Sequence, residues 1–354
     1  MISHVFQCCH YRLVVPAVVV GIFGCVYYYW CKYNELLSNL PQRAVVITGC
    51  DTGFGHQAAI ALSDLGITVF AGCLTIEGMD NLRKRRSNAL NTLIPVRMDV
   101  RSETSIADAV NVIKAEMKNK NIGIWALINN AAIEPWEGPD DLYSISNYQD
   151  TFDVNVIGAV RFVHAFRPLL GCKIDSNLEC VSYNFGINET IRDKARISIV
   201  TSIKGRIVFH ENGPYALSKY ALEAYADTLR REMYAEKLRV SVIQPGGYRT
   251  AIMEGAGNRF AIQWASAPPE VRNKYGERWY QSRLEFWNNV QDKFQVNDTT
   301  PVINAYVHSV IGKNPKTHYI VGRDAWMYYF VSLCPVAWQD WFLRRLFENL
   351  WEST

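Results

Sequence analysis

Short runs of β-branched and apolar residues alternate with longer helical stretches from residue 41 onward, and this alternation is the strongest constraint on the fold. The runs that predict strands cover residues 44–48, 68–72, 94–98, 125–129, 198–202, 240–244 and 317–321. The stretches that predict helices include residues 55–65, 105–118, 146–170 and 215–237. Strands and helices in repeated order predict an α/β fold, a doubly wound and mostly parallel sheet with helices on both faces.

The composition fits one large globular domain, which we assign to residues 41–322. The chain has 354 residues, 49% apolar and 20% charged, and no internal repeat or low-complexity linker divides that stretch. A net charge of +3 shows no broad basic excess, so we expect no nucleic-acid partner. The nine cysteines include no C-x-x-C pair. We therefore predict neither a metal site nor a disulfide framework, and we expect mostly reduced thiols.

The two ends of the chain predict contact with a membrane. Within the N-terminal region, residues 1–40, the stretch 13–31 is uncharged and long enough to cross an apolar layer of about 30 Å. A cleaved signal peptide is the alternative, but the aromatic cluster at 27–30 is typical of a membrane interface and favours a single-pass anchor. Residues 323–354 are rich in aromatics but interrupted by Pro335 and charges, which favours a position in the membrane interface.

The first predicted strand runs into a glycine turn of the form T-G-x(3)-G-x-G at residues 48–55. Its glycines permit a tight turn and a close approach of the backbone to a ligand. The helix that follows offers unpaired N–H groups to a pyrophosphate. The turn therefore indicates a dinucleotide site, although such turns also occur for purely structural reasons.

Tyr215 and Lys219 lie four residues apart on a predicted helix and share a face. A neighbouring cation favours the phenolate, so we expect Lys219 to lower the tyrosine pKa from about 10 and to allow proton exchange near neutral pH. Ser202 ends a predicted strand, where ligands bind in open α/β sheets, and we expect it to face the same crevice. The alternative is an ordinary exposed Tyr–Lys pair.

Taken together, the separated motifs resemble the short-chain dehydrogenase/reductase family over roughly residues 43–322. They are the glycine turn, N-N-A-A at 129–132, Asn155 in D-V-N-V-I-G, Ser202, Y-x(3)-K at Tyr215 and Lys219, and P-G-x(3)-T at 245–250. The stretches TGCDTGFG at 48–55, GCLT at 72–75 and PKTHYIVGRDA at 315–325 are similar to its membrane-anchored retinol and hydroxysteroid dehydrogenase branch. The polar segment 171–196 departs from that branch by its length, and we expect it to form a surface excursion.

The resemblance implies a role for each matching residue. Tyr215 would be the general acid/base and Ser202 would hydrogen-bond the reacting oxygen. Lys219 would also hold the nicotinamide ribose, and Asn155 would anchor a proton-carrying water. Gly49, Gly53 and Gly55 would receive the pyrophosphate, Asp99 the adenine and Thr250 the carboxamide. The full set of implied cofactor contacts is Gly49, Asp51, Gly53, Phe54, Gly55, Asp99, Val100, Asn129, Tyr215, Lys219, Pro245, Gly246 and Thr250.

The cofactor that the resemblance implies is NAD, with NADP as the alternative. No acidic residue closes the second predicted strand, where a ribose-binding carboxylate is expected. Asp51 lies inside the glycine turn instead, and its charge would repel a 2′-phosphate while tolerating a hydroxyl. The alternative for Asp51 is a simple turn residue.

The function implied by the resemblance is hydride transfer between NAD(H) and a lipophilic alcohol of the retinol or hydroxysteroid class. Its setting would be a membrane, that of the endoplasmic reticulum, with a homodimer as a further expectation. Aromatic residues between 251 and 296 suit an apolar pocket or lid, or ordinary core. Two alternatives stay open: a dehydrogenase of a small polar hydroxy acid such as 3-hydroxybutyrate, using Arg249 or Arg259, and a non-catalytic, membrane-tethered cofactor-binding protein.

Overall fold

The computed structural model describes residues 35–37, 39–85, 92–175, 179–182, 195–236 and 238–352. Seven strands in this part of the chain form a sheet in the order β3-β2-β1-β4-β7-β8-β9, and every neighbouring pair is parallel. A separate antiparallel hairpin pairs β5 with β6. The strands are β1 (Arg43–Ile47), β2 (Thr68–Cys73), β3 (Leu93–Arg97), β4 (Gly123–Asn129), β5 (Cys172–Ile174), β6 (Cys180–Ser182), β7 (Arg196–Val200), β8 (Arg239–Pro245) and β9 (His318–Val321).

Helices follow most strands and cover the sheet. They are α1 (Gly53–Asp64), α2 (Ile76–Arg85), α3 (Glu103–Lys120), α4 (Ile145–Phe152), α5 (Gly158–Phe166), α6 (Gly213–Glu232), α7 (Ala256–Ser266), α8 (Pro269–Tyr275), α9 (Glu277–Phe294), α10 (Thr300–Ile311), α11 (Arg323–Ser332) and α12 (Val336–Glu352). A π-helical turn (Asp153–Ile157) joins α4 to α5, and a 3-10 turn (Ile203–Gly205) follows β7.

Two apolar layers hold the helices against opposite faces of the sheet. Leu62 of α1 and Tyr306 of α10 belong to one layer, while Phe162 of α5 and Leu222 of α6 belong to the other. Strands buried on both faces require nearly continuous apolar runs, and β1 is buried along its whole length. The predicted doubly wound α/β sheet is confirmed, including all seven predicted strands.

Strands β1 and β4 are neighbours at the centre of the sheet. From β1 the chain adds strands toward one side of the sheet, and from β4 it adds them toward the other, so the strand order reverses between these two. In open α/β sheets the crevice for ligands lies outside the carboxyl ends of the strands at such a reversal. The loops that follow β1, β4, β7 and β8 therefore meet at one edge, which we call the carboxyl edge.

The stretch 146–170 is predicted as a single helix but is interrupted in the structure. Residues Asp153–Ile157 form a π-helical turn that widens the helix around the buried Asn155. One-turn π-bulges of this kind interrupt helices at functional sites. The periodicity of apolar residues continues through the bulge, which is why the sequence alone did not reveal it.

The expectation of reduced thiols is wrong for one pair, because Cys172 and Cys180 form a disulfide across the β5–β6 hairpin. Their Cα atoms are 5.4 Å apart, within the range that a disulfide requires. The disulfide could not be predicted, because a cysteine count carries no information about antiparallel pairing inside an insertion. Cys50, Cys73 and Cys334 are free thiols; the remaining cysteines lie outside the described residues.

The hairpin lies at the amino edge of the sheet, opposite the carboxyl edge. Gly171 donates its N–H to the carbonyl of Ile124, 2.9 Å away, near the start of β4. The described part of the segment predicted as a surface excursion, the β5–β6 hairpin, therefore begins at the opposite edge of the sheet from the crevice.

Membrane contact is tested only in part by the structure. No helix among the described residues combines the length and apolar character needed to cross a bilayer. The stretch 13–31, where the anchor is predicted, lies outside those residues.

Candidate active site

The glycine turn after β1 bends sharply and leaves the start of α1 open. Gly49 and Gly53 have positive φ angles of 69° and 63°, which favour glycine. Thr52 precedes α1 without capping it by a side-chain hydrogen bond, so the first N–H groups of the helix are available to a ligand. Gly49, Gly53 and Phe54 all line a cavity of about 840 Å³ at the carboxyl edge.

Gly55 was expected to contact the pyrophosphate, but its position in the structure indicates a packing role. It does not line the cavity; a Cβ placed there would come within 2.4 Å of both the Asn130 side chain and the Gly49 carbonyl. Gly55 therefore allows α1 to pack closely against the turn, and of the three glycines only Gly49 and Gly53 line the cavity.

Asn130 is a site residue that the sequence analysis missed. Its side-chain amide donates to the carbonyls of Thr48 and Gly49, both at 2.9 Å, and its carbonyl accepts from the Tyr306 hydroxyl at 2.7 Å. The neighbouring Asn129, predicted as a cofactor contact, is the last residue of β4, is buried and does not line the cavity. Neighbouring side chains at a strand end point in different directions, so only one of the two asparagines faces the cavity. Because both are asparagine, residue type alone could not show which one it is.

Two acidic residues line the end of the cavity near the glycine turn. Asp51 accepts hydrogen bonds from the backbone N–H groups of Leu74 and Thr75, each at 2.8 Å, so it fixes the loop after β2. Asp99 is bound by Arg101 at 3.0 Å, and this hydrogen bond lowers the pKa of the Asp99 carboxyl. Val100 lies next to it in the cavity wall.

Tyr215, Lys219 and Ser202 converge at the centre of the cavity. Tyr215 and Lys219 share one face of α6, as predicted, and the Lys219 Nζ lies 5.2 Å from the centre of the Tyr215 ring. Ser202 caps the 3-10 turn after β7, where its side-chain oxygen accepts a hydrogen bond from the N–H of Lys204 at 3.2 Å. All three residues line the cavity, together with Pro245 at the end of β8 and with Gly246 and Thr250 beyond it.

The pKa values at this centre depart from the expectation that Lys219 makes the phenol acidic. Burial raises the pKa of Tyr215 above its usual value, and Glu134 raises it further. The cation that lowers it most is Lys204, not Lys219. Burial also lowers the pKa of Lys219 to about 8, and its ammonium donates to the Val200 carbonyl at 3.2 Å. A lysine with a pKa of about 8 keeps most of its charge at neutral pH and loses that charge as the pH rises further.

Asn155 is fully buried and does not line the cavity itself. Its side chain clamps the backbone of Ile133, accepting from the N–H at 2.8 Å and donating to the carbonyl at 2.9 Å. It also donates to the hydroxyl of Ser218 on α6 at 2.9 Å. Asn155 thus ties the loop after β4 to the helix that carries Tyr215.

A second group of charged residues in the cavity wall was not predicted. Lys204 contacts the carboxylates of Glu134, at 2.9 Å, and Glu137, while the Asn212 amide donates to the same two carboxylates at 2.8 and 2.6 Å. We call these four residues the Lys204 cluster. They come from two separate connections, the loop after β4 and the segment between β7 and α6, and no short motif in the sequence links them.

The far side of the cavity is apolar and is built by α7 to α9. Trp264 stacks on Tyr280 with ring centres 4.9 Å apart, which makes these two aromatics core. Phe286 and Trp287 pack with the same cluster and also line the cavity beside Ile252 and Met253. The aromatic segment therefore serves as both core and pocket wall.

Comparison with known proteins identifies the family. The family described as short chain dehydrogenase matches residues 43–259, more than half of the chain. The chain belongs to this family. Retinol dehydrogenase 16 of Homo sapiens is similar to this short-chain dehydrogenase, with 31% identity over 92% of this chain and 93% of the relative. The 17-beta-hydroxysteroid dehydrogenase type 6 of Bos taurus is 31% identical over 93% and 96%.

Further relatives agree with this assignment. The 3beta-hydroxysteroid dehydrogenase dhs-16 of Caenorhabditis elegans is 32% identical over 86% of this short-chain dehydrogenase and 75% of the relative. These relatives confirm the resemblance to the retinol and hydroxysteroid branch. The protein is an oxidoreductase that acts on CH–OH groups.

Solved structures share the fold at low sequence identity. A short-chain dehydrogenase from Burkholderia cenocepacia in complex with NADP superposes with a TM-score of 0.57 at 17% identity, covering 85% of this chain and 96% of the other. A short-chain dehydrogenase/reductase from Burkholderia phymatum in complex with NAD gives a TM-score of 0.56 at 19% identity, covering 77% and 87%.

Proposed function

We propose that this short-chain dehydrogenase transfers hydride between NAD(H) and a lipophilic alcohol, with Tyr215 as the general acid/base. The observation that carries the proposal is the convergence of Tyr215, Ser202 and Lys219 on one wall of a cavity that also holds the open glycine turn. The retinol and hydroxysteroid dehydrogenases among its relatives support the substrate class.

The residues at the carboxyl edge fit a dinucleotide. The cavity runs from the glycine turn and the Asp99–Val100 corner to Tyr215 and Thr250. The uncapped start of α1 suits a pyrophosphate, since helix N-termini bind anions through free N–H groups. Bound NAD would supply a hydride acceptor, and the NAD and NADP complexes of the solved relatives support a nicotinamide cofactor.

NAD is the preferred form because the adenosine end of the cavity is acidic. Asp51 lines it, and its carboxylate is fixed in place by two backbone N–H groups. Arg101, the cation nearby, is bound to Asp99. The 2′-phosphate of NADP would be repelled by the fixed carboxylate of Asp51, and Arg101 is already paired with Asp99. The 2′-hydroxyl of NAD would not be repelled.

The chain's own residues then divide the chemistry. Tyr215 removes the alcohol proton or returns it to the carbonyl, and the Ser202 hydroxyl, which lines the same cavity, stabilises charge on the reacting oxygen. Lys219, buried beneath the tyrosine, supplies donors toward the cofactor ribose. Asn155 holds the loop that forms the roof of the site.

A small hydroxy acid suits this cavity poorly. Arg259, the cation considered for it, already donates to the carbonyls of Pro135, at 2.6 Å, and Ile252, at 2.9 Å, and also to that of Glu254. Arg249 does not line the cavity. A substrate carboxylate would meet Glu134 and Glu137 instead, while the wall of Phe286, Trp287 and Met253 favours an apolar body.

The C-terminal helices support a position at a membrane surface. Phe330, Trp338 and Trp341 are 61%, 65% and 57% exposed, respectively, on α11 and α12. On the same α11, Asp324 and Tyr328 line the cavity. Large exposed aromatics mark interaction surfaces, and Trp is favoured at lipid interfaces. We propose that this surface rests on the bilayer from which a lipophilic substrate reaches the cavity.

Turnover by membranes containing the full chain tests the proposal. NAD and NADP are each supplied with retinol, steroid alcohols and 3-hydroxybutyrate, and the absorbance of the reduced cofactor is followed. We expect turnover with NAD and a lipophilic alcohol. Tyr215→Phe should abolish it and leave cofactor binding, measured by the fluorescence of bound NADH, largely intact.

The matched control is Tyr234→Phe, which changes an exposed tyrosine beyond the end of α6. It should turn over at the rate of the unaltered protein. Full activity of Tyr215→Phe would exclude the proposed mechanism. Cofactor binding without turnover of any alcohol would favour the non-catalytic alternative.

A further inference from the structure

The Lys204 cluster lies against the ring of Tyr215 but belongs to none of the motifs described above. The Lys204 Nζ is 5.3 Å from the centre of that ring, almost the same as the 5.2 Å of Lys219. Two ammonium groups therefore lie near the Tyr215 ring. One belongs to Lys204 in the turn after β7, and the other belongs to Lys219 on α6.

The two ammonium groups differ in what holds them charged. Lys219 donates to a neutral backbone carbonyl, and burial lowers its pKa to about 8. Lys204 contacts two carboxylates, and these overcome the effect of burial and raise its pKa. Lys204 is thus the cation that stays protonated across the physiological pH range.

The carboxylates keep Lys204 in place and are themselves held. Glu134 is buried, and Asn212, also buried, donates to Glu134 and Glu137 together. Two carboxylates that share one lysine and one amide cannot both ionise freely, because like charges at close range disfavour the second ionisation. Burial raises the pKa of Glu137, and the nearby charge of Glu134 raises it further.

We propose that Lys204, held by Glu134 and Glu137, is a positioning residue that governs how readily Tyr215 gives up its proton. The inference rests on the proposed role of Tyr215 as general acid/base. A positive charge beside a phenol favours the phenolate and lowers the pKa of the phenol. Lys204 therefore favours the phenolate, and Glu134 opposes it.

Other titratable groups that act on Tyr215 come from each element packed around it. They are Lys219 on α6, Glu134 and Glu137 in the loop after β4, and Tyr306 on α10. Lys219 is present in every variant below, so a change that follows Lys204 alone is not due to it.

The decisive measurement is an ultraviolet difference titration of phenolate in the full chain, taken against Tyr215→Phe so that one tyrosine is isolated. Lys204→Met should raise the pKa of Tyr215 by about one unit or more. Glu134→Gln should lower it. Lys204→Arg keeps the charge and should restore the titration of the unaltered protein.

The pH profile of kcat/KM for alcohol oxidation is the second readout. Its acidic limb, where Tyr215 must lose a proton, should move to higher pH in Lys204→Met and to lower pH in Glu134→Gln. Lys274→Met is the matched control: it breaks a lysine–carboxylate pair, with Asp141, outside the cavity wall, and should move neither readout.

The outcomes separate this inference from the proposed function. An unshifted titration in Lys204→Met, with or without loss of turnover, would overturn the role of Lys204. A shifted titration in a protein that oxidises none of the alcohols would uphold that role and reject the proposed substrate class. If Lys204→Met fails to fold, Lys204→Arg and Glu134→Gln still decide, because an unchanged titration in Glu134→Gln contradicts the inference.

Discussion

At the scale of single residues, the active site depends on side chains that fix loops as much as on those that face the cavity. Asn130 holds the glycine turn through two carbonyls, and Asn155 holds the loop after β4 through both backbone groups of Ile133. Neither residue needs to touch a substrate for its loss to alter the site.

Asn130→Ala should weaken cofactor binding and lower stability together. It removes hydrogen bonds to Thr48 and Gly49 and leaves buried acceptors unsatisfied, at a cost of about 1–3 kcal/mol. Thermal unfolding and the NADH fluorescence titration measure the two effects. Tyr306→Phe, which removes only the hydrogen bond to the other side of the same amide, should cost less. Equal NADH affinity in Asn130→Ala and the unaltered protein would contradict this account.

Glu137→Gln should change how stability depends on pH. A carboxyl whose pKa is raised on folding contributes stability at pH values below its unfolded pKa of about 4.5, and that contribution is lost as the pH rises through the folded pKa. The unaltered protein should therefore lose free energy of unfolding between pH 5 and pH 8, and Glu137→Gln should lose less, by at least about 1 kcal/mol. Urea unfolding at both pH values measures this.

The control for that pH series is Glu270→Gln, which neutralises an exposed carboxylate on α8. It should follow the unaltered protein. Identical slopes in Glu137→Gln and the unaltered protein would show that Glu137 ionises as an ordinary surface carboxylate does.

At the scale of elements, the sequence determined the strands well and the insertions poorly. Each core strand is an apolar run long enough to be recognised, and Tyr215 and Lys219 face one way because helical spacing requires it. The π-helical turn at Asp153–Ile157, the choice between Asn129 and Asn130, and the Lys204 cluster depend on how separate segments pack. No local pattern encodes those contacts.

Removal of the hairpin disulfide should lower stability without affecting catalysis. Closing a loop of this size stabilises a fold by at most about 2–3 kcal/mol on the chain-entropy view. The double change Cys172→Ser with Cys180→Ser should lower the unfolding temperature and leave kcat and KM unchanged, because the hairpin lies at the amino edge. A reductant should destabilise the unaltered protein and not the double variant. A changed KM in the double variant would contradict the placement of the hairpin.

At the scale of the whole molecule, α11 belongs both to the cavity wall and to the proposed membrane surface. Tyr328 lines the cavity and packs edge-on against Phe209 with ring centres 4.6 Å apart, while Phe330 is exposed. The aromatic composition of residues 323–354 predicted an interfacial segment, but it did not predict that the segment would also line the cavity.

Tryptophan quenching in vesicles tests that surface in the full chain. Brominated lipids should quench Trp338 and Trp341, because an interfacial position brings their rings to the acyl chains. The change of both residues to Phe should remove most of the quenching that the catalytic domain contributes. Trp264→Phe, which alters a buried tryptophan of α7, should remove none. Undiminished quenching in the Trp338 and Trp341 variant would place the bilayer elsewhere.

The candidate active site and the disulfide-closed hairpin lie at opposite edges of the central sheet. Ser202, Tyr215 and Lys219 line the cavity at the carboxyl edge, and the disulfide-closed hairpin adjoins the amino end of β4. A fluorophore, an affinity tag or a surface tether attached to the β5–β6 hairpin would accordingly report on or immobilise the enzyme while leaving substrate entry unobstructed.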